Sequence, residues 1–269
     1  MQKNLTGVGI NLRLEYIDEI LTQLPKLPFL EIIADNWLSL GPHHQKLAKL
    51  REHYEISFHC VGMNIGGSDI INTHYIKKIK ELCDTYQPFQ ISDHLSYQAN
   101  NGFHHHDLLP IPYTKKYLIN TSDRVMQLQD LLKQTLIVEN PTYYTAYAES
   151  DIAEEDFLNQ LAINTNCKLL IDLNNIWVNS QNFKINIDQY MTTINWAMVK
   201  EIHLAGPDIM GEFYIDTHGS DINHDLFQMI KKYQDKLIGL PIFYERDNNI
   251  PKLDVMLHQV EKVSEVLYD

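Results

Sequence analysis

Short apolar runs alternate along the chain with segments whose apolar residues recur at helical spacing. Gly7-Val-Gly-Ile-Asn-Leu12 reads as a first strand, and Arg13 to Leu24 follows with Tyr16, Ile17, Ile20, Leu21 and Leu24 at helical spacing. Pro25 and Pro28 bracket the turn into a second strand, Phe29 to Ala34, and a helix near His44 to His53 precedes the run Ser57 to Gly62. Gly62 to Asp69 reads as a loop, Tyr75 to Tyr86 as a helix and Gln90 to His94 as a strand. Thr114 can cap the next helix, whose Leu118, Val125, Leu128 and Leu132 share a face. The run Leu136 to Asn140 comes next, and Asp151-Ile-Ala-Glu154 has capping-box spacing that predicts a helix start. Lys168 to Asn175 reads as a buried strand, Ile187 to Ala197 as a helix and Val199 to Leu204 as a strand. Leu226 to Tyr233 is predicted helical, Pro241 to Asp247 strand, and Leu253 to Leu267 a closing helix. Two long stretches, Gln98 to Pro112 and Ala205 to Asp221, carry no clear period and are predicted to be functional loops.

Eight strand–helix units predict an α/β chain folded as one (β/α)₈ TIM-type barrel over residues 1–269, close to the roughly 250 residues usual for that fold. A doubly wound open sheet is the alternative, but no G-x-G-x-x-G follows an early strand.

Six of the apolar runs end in groups that can hold a metal ion. His59, His94, Glu139, Asp172, Asn175, His203, Asp216, His218 and Glu245 form the candidate set. Burying such groups beside Leu and Ile is costly unless each finds a partner. A barrel places its active site at the C-terminal ends of the strands, where these residues lie. Strand parity puts Ser57 with His59, Ser92 with His94 and Phe243 with Glu245 on common faces. Asp172 and Asn175 are three apart, so both point inward only if the chain bends between them. Nitrogen and oxygen donors without thiolate suit iron, manganese or zinc. The set exceeds the needs of one ion, which implies two or three metals, with Glu139 well placed to bridge. Asp93, Asp107 and Asn140 are candidates to hydrogen-bond the ligands. Glu31 ends its strand in the same way and is an even prospect. His104-His-His106 reads as a loop or rim contact rather than a metal tract. Trp37, Tyr97, Tyr143, Tyr144 and Trp177 follow strand ends and suit either a pocket lining or ordinary packing.

Charge narrows the partners. Lys and Arg number 22 against 35 Asp and Glu, a net charge of −13, which opposes nucleic-acid binding. No apolar stretch approaches the ~20 residues that span a bilayer, and the first residues lack a long apolar core, so a cytoplasmic location without membrane contact is expected. Cys60, Cys83 and Cys167 form no C-x-x-C pair; Cys60 reads as a small buried hydrophobe.

On these residues the sequence resembles the multinuclear non-haem iron-dependent oxidases, the superfamily known as domain of unknown function 692. The matching segments are His59-Cys-Val-Gly62, Ser92-Asp-His-Leu95, Asp107 to Thr114, Val138-Glu-Asn-Pro141, Asp172-Leu-Asn-Asn175, His203-Leu-Ala-Gly206, Asp216-Thr-His-Gly219 and Glu245-Arg-Asp247, with Cys60 where glycine is expected. The resemblance implies a TIM-type barrel with two or three iron ions held by the nine residues above. It implies use of dioxygen to modify cysteine residues of a ribosomally made precursor peptide, presented by a small partner protein. From the residues alone, another divalent-metal barrel enzyme, of sugar-isomerase or trinuclear-zinc-endonuclease type, and a non-catalytic metal-binding protein stay open.

Overall fold

The computed structural model describes residues 5–39 and 41–268, apart from the side chain of His106. Eight parallel strands close into a barrel: Gly7–Asn11, Phe29–Ile33, Glu55–His59, Gln90–His94, Ile137–Glu139, Lys168–Asp172, Val199–Leu204 and Pro241–Tyr244. Each pairs with its neighbour in sequence, and the first closes on the last through Gly7 to Ile10 against Pro241 to Tyr244. Helices lie between successive strands, and the chain is an α/β barrel of the TIM type.

The main apolar layer sits between strands and helices, built from residues such as Ile32, Ile56, Leu128, Phe157, Val178 and Val263. The predicted cap Thr114 accepts from the Tyr117 amide at 3.2 Å, and Asn72 caps its helix in the same way, accepting from Tyr75 at 3.1 Å. Phe29 and Phe243 are wholly buried, with ring centroids 4.8 Å apart. They share strand faces with Glu31 and Glu245 and form an aromatic floor under the polar mouth.

Several expectations are corrected. Gln98 to Pro112 is not a structureless loop: Tyr97–Asn100 and Phe103–Leu109 form an antiparallel hairpin that turns through Asn101 and Gly102, both with positive φ. Its His104 and His105 are exposed. The second long stretch likewise contains a hairpin, Asp208–Met210 with Phe213–Ile215. The Asp151–Glu154 capping box does not form, and the helix starts at Glu154 with Ala153 as its cap residue. The amides of Asp151 and Ile152 both donate to the Tyr113 carbonyl, which holds this segment outside the helix. A helix at Leu173–Phe183 was unforeseen, and the next one, Ile187–Thr193, ends before Ala197. Asn159 stops it by donating to the Thr193 carbonyl at 2.8 Å and accepting from the Asn195 amide at 2.8 Å.

Gly9 makes room for the aromatic floor, because a Cβ there would lie 2.5 Å from both the Phe29 ring and the Phe29 carbonyl oxygen. Gly9→Ala is expected to cost about 1–3 kcal/mol through overpacking. A fall in the denaturant midpoint at unchanged slope checks this; an unchanged midpoint contradicts the packing described.

Candidate metal centre

The strand register brings the polar ends together. Asp172 stands opposite His203, His94 opposite Glu139, and His59 opposite Ser92. A cavity of about 200 Å³ opens at this end of the barrel, lined among others by His59, His94, Glu139, Asp216, His218 and Glu245. His203 and Asp172 are fully buried in its floor.

Four groupings bring one ligand atom from each member within 4.8 Å of the others: Glu31, His59 and His203; His59, His94 and Glu139; Glu139, Asp172 and His203; and Asp172, His218 and Glu245. They interlock through shared members. Glu139 joins two of them, and its Oε2 stands 3.5 Å from His59 Nε2 and 3.3 Å from His94 Nε2. Neither approach makes a hydrogen bond, and Asp172 Oδ2 is likewise without a partner among the described residues. Buried polar atoms aimed at one gap without bonding across it are what a cation site leaves when its ion is removed.

Neighbouring groups set the ring orientations. Ser92 Oγ lies 3.4 Å from the Phe58 carbonyl as donor, so it accepts from His59 Nδ1–H at 2.8 Å. That leaves His59 Nε2 unprotonated and facing Glu139, the tautomer a ligand needs. His203 Nε2 faces two carboxylates, Glu31 at 3.2 Å and Glu201 at 3.4 Å, which turns Nδ1 toward Glu245 at 3.1 Å. Asn11 binds Glu31 and Glu245 at 3.2 and 3.1 Å.

The chain bends where Asp172 and Asn175 required it to. The strand ends at Asp172, which caps the following helix by accepting from the Asn175 amide through Oδ1 at 2.7 Å. Asn175 turns its side chain to Glu139 at 3.4 Å, Asn140 and Thr142. Asp216 and His218 arrive on the segment after the second hairpin, 2.7 Å apart. Asn174 grips Asp216 at 2.6 Å, and the Asp216 amide donates to the Tyr144 hydroxyl at 2.8 Å. All nine candidates thus meet at one mouth.

The three supporting candidates differ. Asn140 clamps the Asp172 backbone from both sides, donating to its carbonyl at 3.1 Å and accepting from its amide at 2.8 Å. Asp93 accepts from the Met63 and His94 amides, and its Oδ1 stands 3.6 Å from His94 Nδ1, beyond a hydrogen bond. Asp107 sits exposed at the lip, bound to the Leu108 amide. Glu201 and Asn11 were missed, and Asn174, which ends the same run as Asp172 and Asn175, stood outside the candidate set. Glu201 was accessible to the parity rule, since it lies two residues before His203 on the same strand.

The electrostatics fit a missing counter-charge. Glu31, Glu139, Asp172, Glu201 and Glu245 are each no more than 4% exposed. Burial pushes Glu31, Glu139 and Asp172 above the usual carboxylate range, only partly opposed by the nearby imidazoles. Burial would also raise Glu245, but His203, His218 and His59 hold it well below. Burial would lower His94 and His218, but Glu139 and Asp93 raise the first to about 9 and Asp216 raises the second to about 10. Burial and the neighbouring His94 and His203 lower His59. A divalent cation at such a donor set would offset the same burial of negative charge.

A family model for the "RiPP precursor modification enzyme MbnB/TglH/ChrH" matches residues 7–268. The chain belongs to this family. Members of the family are enzymes that modify ribosomally made precursor peptides. A UPF0276 protein of Vibrio vulnificus is 36% identical over 265 residues, covering 97% of this chain and 91% of the relative. One from Psychromonas ingrahamii is 35% identical over 271 residues, covering 97% and 95%. Among solved structures, a D-allulose 3-epimerase from Methylomonas in complex with D-allulose aligns with a TM-score of 0.62 at 11% identity, over 97% of this chain and 95% of the other. Endonuclease IV from Thermus thermophilus aligns with a TM-score of 0.58 at 14% identity, over 95% and 99%. These two likenesses concern the barrel alone. Among the described residues no helix is long and apolar enough to cross a membrane.

Stripping metal from purified protein with a chelator is expected to lower its melting temperature, and restoring divalent metal to recover it. Glu139→Gln should reduce bound metal, measured by elemental analysis, more than Asp216→Asn does, because Glu139 is shared between two groupings. Equal metal content in both variants and wild type would contradict the site.

Proposed function

We propose that the chain is a multinuclear iron-dependent oxidase that uses dioxygen to modify cysteine residues of a ribosomally made precursor peptide. The observation that carries this reading is the set of interlocked His and carboxylate groupings at the barrel mouth of a family member of this kind. The ligands proposed are His59, His94, Glu139, Asp172, Asn175, His203, Asp216, His218 and Glu245, with two or three ions. Glu31 lies close enough to His59 and His203 to join them. The donors are nitrogen and oxygen without thiolate, a set that iron accepts, with zinc and manganese as substitutes during isolation.

When bound, iron supplies a Lewis acid for a substrate thiolate and the electrons for dioxygen chemistry. The protein supplies the rest. Glu31 and Glu201 hold the His203 ring in register, and Ser92 fixes the His59 tautomer. Tyr144 ties the Asp216 segment across the mouth, which narrows access and limits water. Among the described residues no Lys or Arg lines the cavity, which suits a thiol-bearing peptide better than a phosphate backbone. A small partner protein that presents the peptide, and a cytoplasmic location, belong to the same proposal.

The test incubates ferrous-loaded protein in air with the cysteine-containing peptide encoded beside its gene, with and without a neighbouring small protein. The expected result is an oxygen-dependent mass loss confined to the cysteine fragment and absent from a Cys→Ser peptide. An unchanged peptide mass under all these conditions with iron-loaded protein overturns the reading.

A further inference from the structure

A second cavity, of about 300 Å³, lies beside the metal-site cavity and shares its walls. Pro141, Thr142 and Tyr144 face the metal-site cavity, while Tyr143 and Thr145 to Tyr147 face the second one. The segment before the helix Lys115–Leu132 divides in the same way, with Asp107 and Leu108 on one side and Pro110, Ile111 and Tyr113 on the other.

This second cavity has a mixed lining, apolar residues together with tyrosines, Ser150, Asn186, Gln189 and two glutamates. Pro110, Ile111, Ala146, Ile152 and Ile185 form much of the wall. Glu154 is among the lining residues, only 5% exposed. Its Oε1 accepts from the Tyr190 hydroxyl at 2.7 Å, and its Oε2 has no hydrogen-bond partner among the described residues. The Tyr113 hydroxyl, on a residue 8% exposed, lies near the Glu154 carboxyl without closing a well-formed hydrogen bond. Burial pushes the Glu154 carboxyl up to about 7, although the hydroxyls of Tyr190, Tyr113 and Tyr143 ease its ionisation. Among the described residues no basic side chain lines the cavity, and Glu155 adds a second, largely buried carboxyl. A buried carboxylate without a cation is costly, and the helix that begins at Glu154 offers only the partial charge of its N-terminus.

We propose that this cavity is a binding site for a primary alkylammonium group, the chemistry of a lysine side chain. The ligand's methylenes lie along the apolar wall and its ammonium meets Glu154 Oε2 and the Tyr113 hydroxyl. A guanidinium fits less well, since its fork needs two carboxylate oxygens and Tyr190 already occupies one. A point-charge donor needs only one. The source is either a lysine of a peptide whose cysteine enters the neighbouring cavity or a free amine. Only the peptide source rests on the peptide-modification reading.

The test titrates n-butylammonium, a mimic of the lysine side chain, into metal-loaded protein and follows it by saturation-transfer NMR, with 1-butanol as the neutral control. The amine is expected to bind about tenfold or more tightly than the alcohol, the scale of one charge-assisted contact. Glu154→Gln should remove that preference. Ala146→Trp, a substitution at an exposed wall position, should block both ligands and covers the case in which Glu154→Gln does not fold. Equal binding of amine and alcohol to wild type, no binding of the amine, or amine binding that survives both variants overturns the proposal. Survival in both variants would place the amine on the metals instead. Displacement of butylammonium by an acetylated Gly-Lys-Gly amide assigns the site to a peptide lysine; displacement by cadaverine alone assigns it to a free amine. Neither outcome depends on turnover, so a failure here is distinct from a failure of peptide oxidation.

Discussion

The constraint on which the rest of this structure depends is charge neutrality at the mouth of the barrel. Glu31, Glu139, Asp172, Glu201 and Glu245 are shut away from water within reach of His59, His94, His203 and His218. Imidazoles alone do not balance them at neutral pH unless several take up protons. The orphaned Glu139 Oε2 and Asp172 Oδ2 show where the balance is incomplete. Divalent cations would balance this charge with the donors already in place.

The fold meets this demand through register. Parallel strands of a closed barrel end at a common level, so residues late in each strand face one another across the axis. Below that level Phe29 and Phe243 exclude water and set the floor. Above it, the Asp216–His218 segment and the 141–147 segment lean across the opening, joined by the Tyr144 hydroxyl. The strands fix the floor and sides of the site, and two connecting segments supply the roof.

Much of this was legible from the chain because one periodicity carries it. Strand runs ending in His59, His94, Glu139, Asp172, His203 and Glu245 placed these residues at one end before any coordinates, and parity chose their inward faces. The same rule reaches Glu201, two before His203, although a carboxylate inside an apolar run carries no mark of its own as a site residue. Other features depended on contacts no local pattern carries. The capping box at Asp151 failed because Tyr113, distant in sequence, takes the two amides that would have begun the helix. The hairpin through Asn101-Gly102 did have a local mark, an Asn-Gly turn, which the polar histidines around it obscured. Asp172 and Asn175 looked incompatible only while both were assigned to one strand. The structure makes Asp172 the last strand residue and the cap of the next helix, so one carboxylate both ends the strand and aims its second oxygen at the site.

The neighbouring cavity follows from the same geometry. Past the strand ends the 141–147 segment contributes to both cavities, with Tyr144 at the metal-site mouth and Tyr143 in the Glu154 cavity. A wall of this kind couples position on its two sides: what seats in one cavity fixes how far a connected group extends into the other. Two buried carboxylate environments lie across it. One is supplied with several imidazoles and suits hard cations; the other holds Glu154 among tyrosine hydroxyls and apolar walls, with no imidazole and no basic side chain. The first arrangement invites metal. The second lacks the multiple donors a metal needs and retains room for an organic stem, which is why the same unbalanced charge calls for a different kind of cation there.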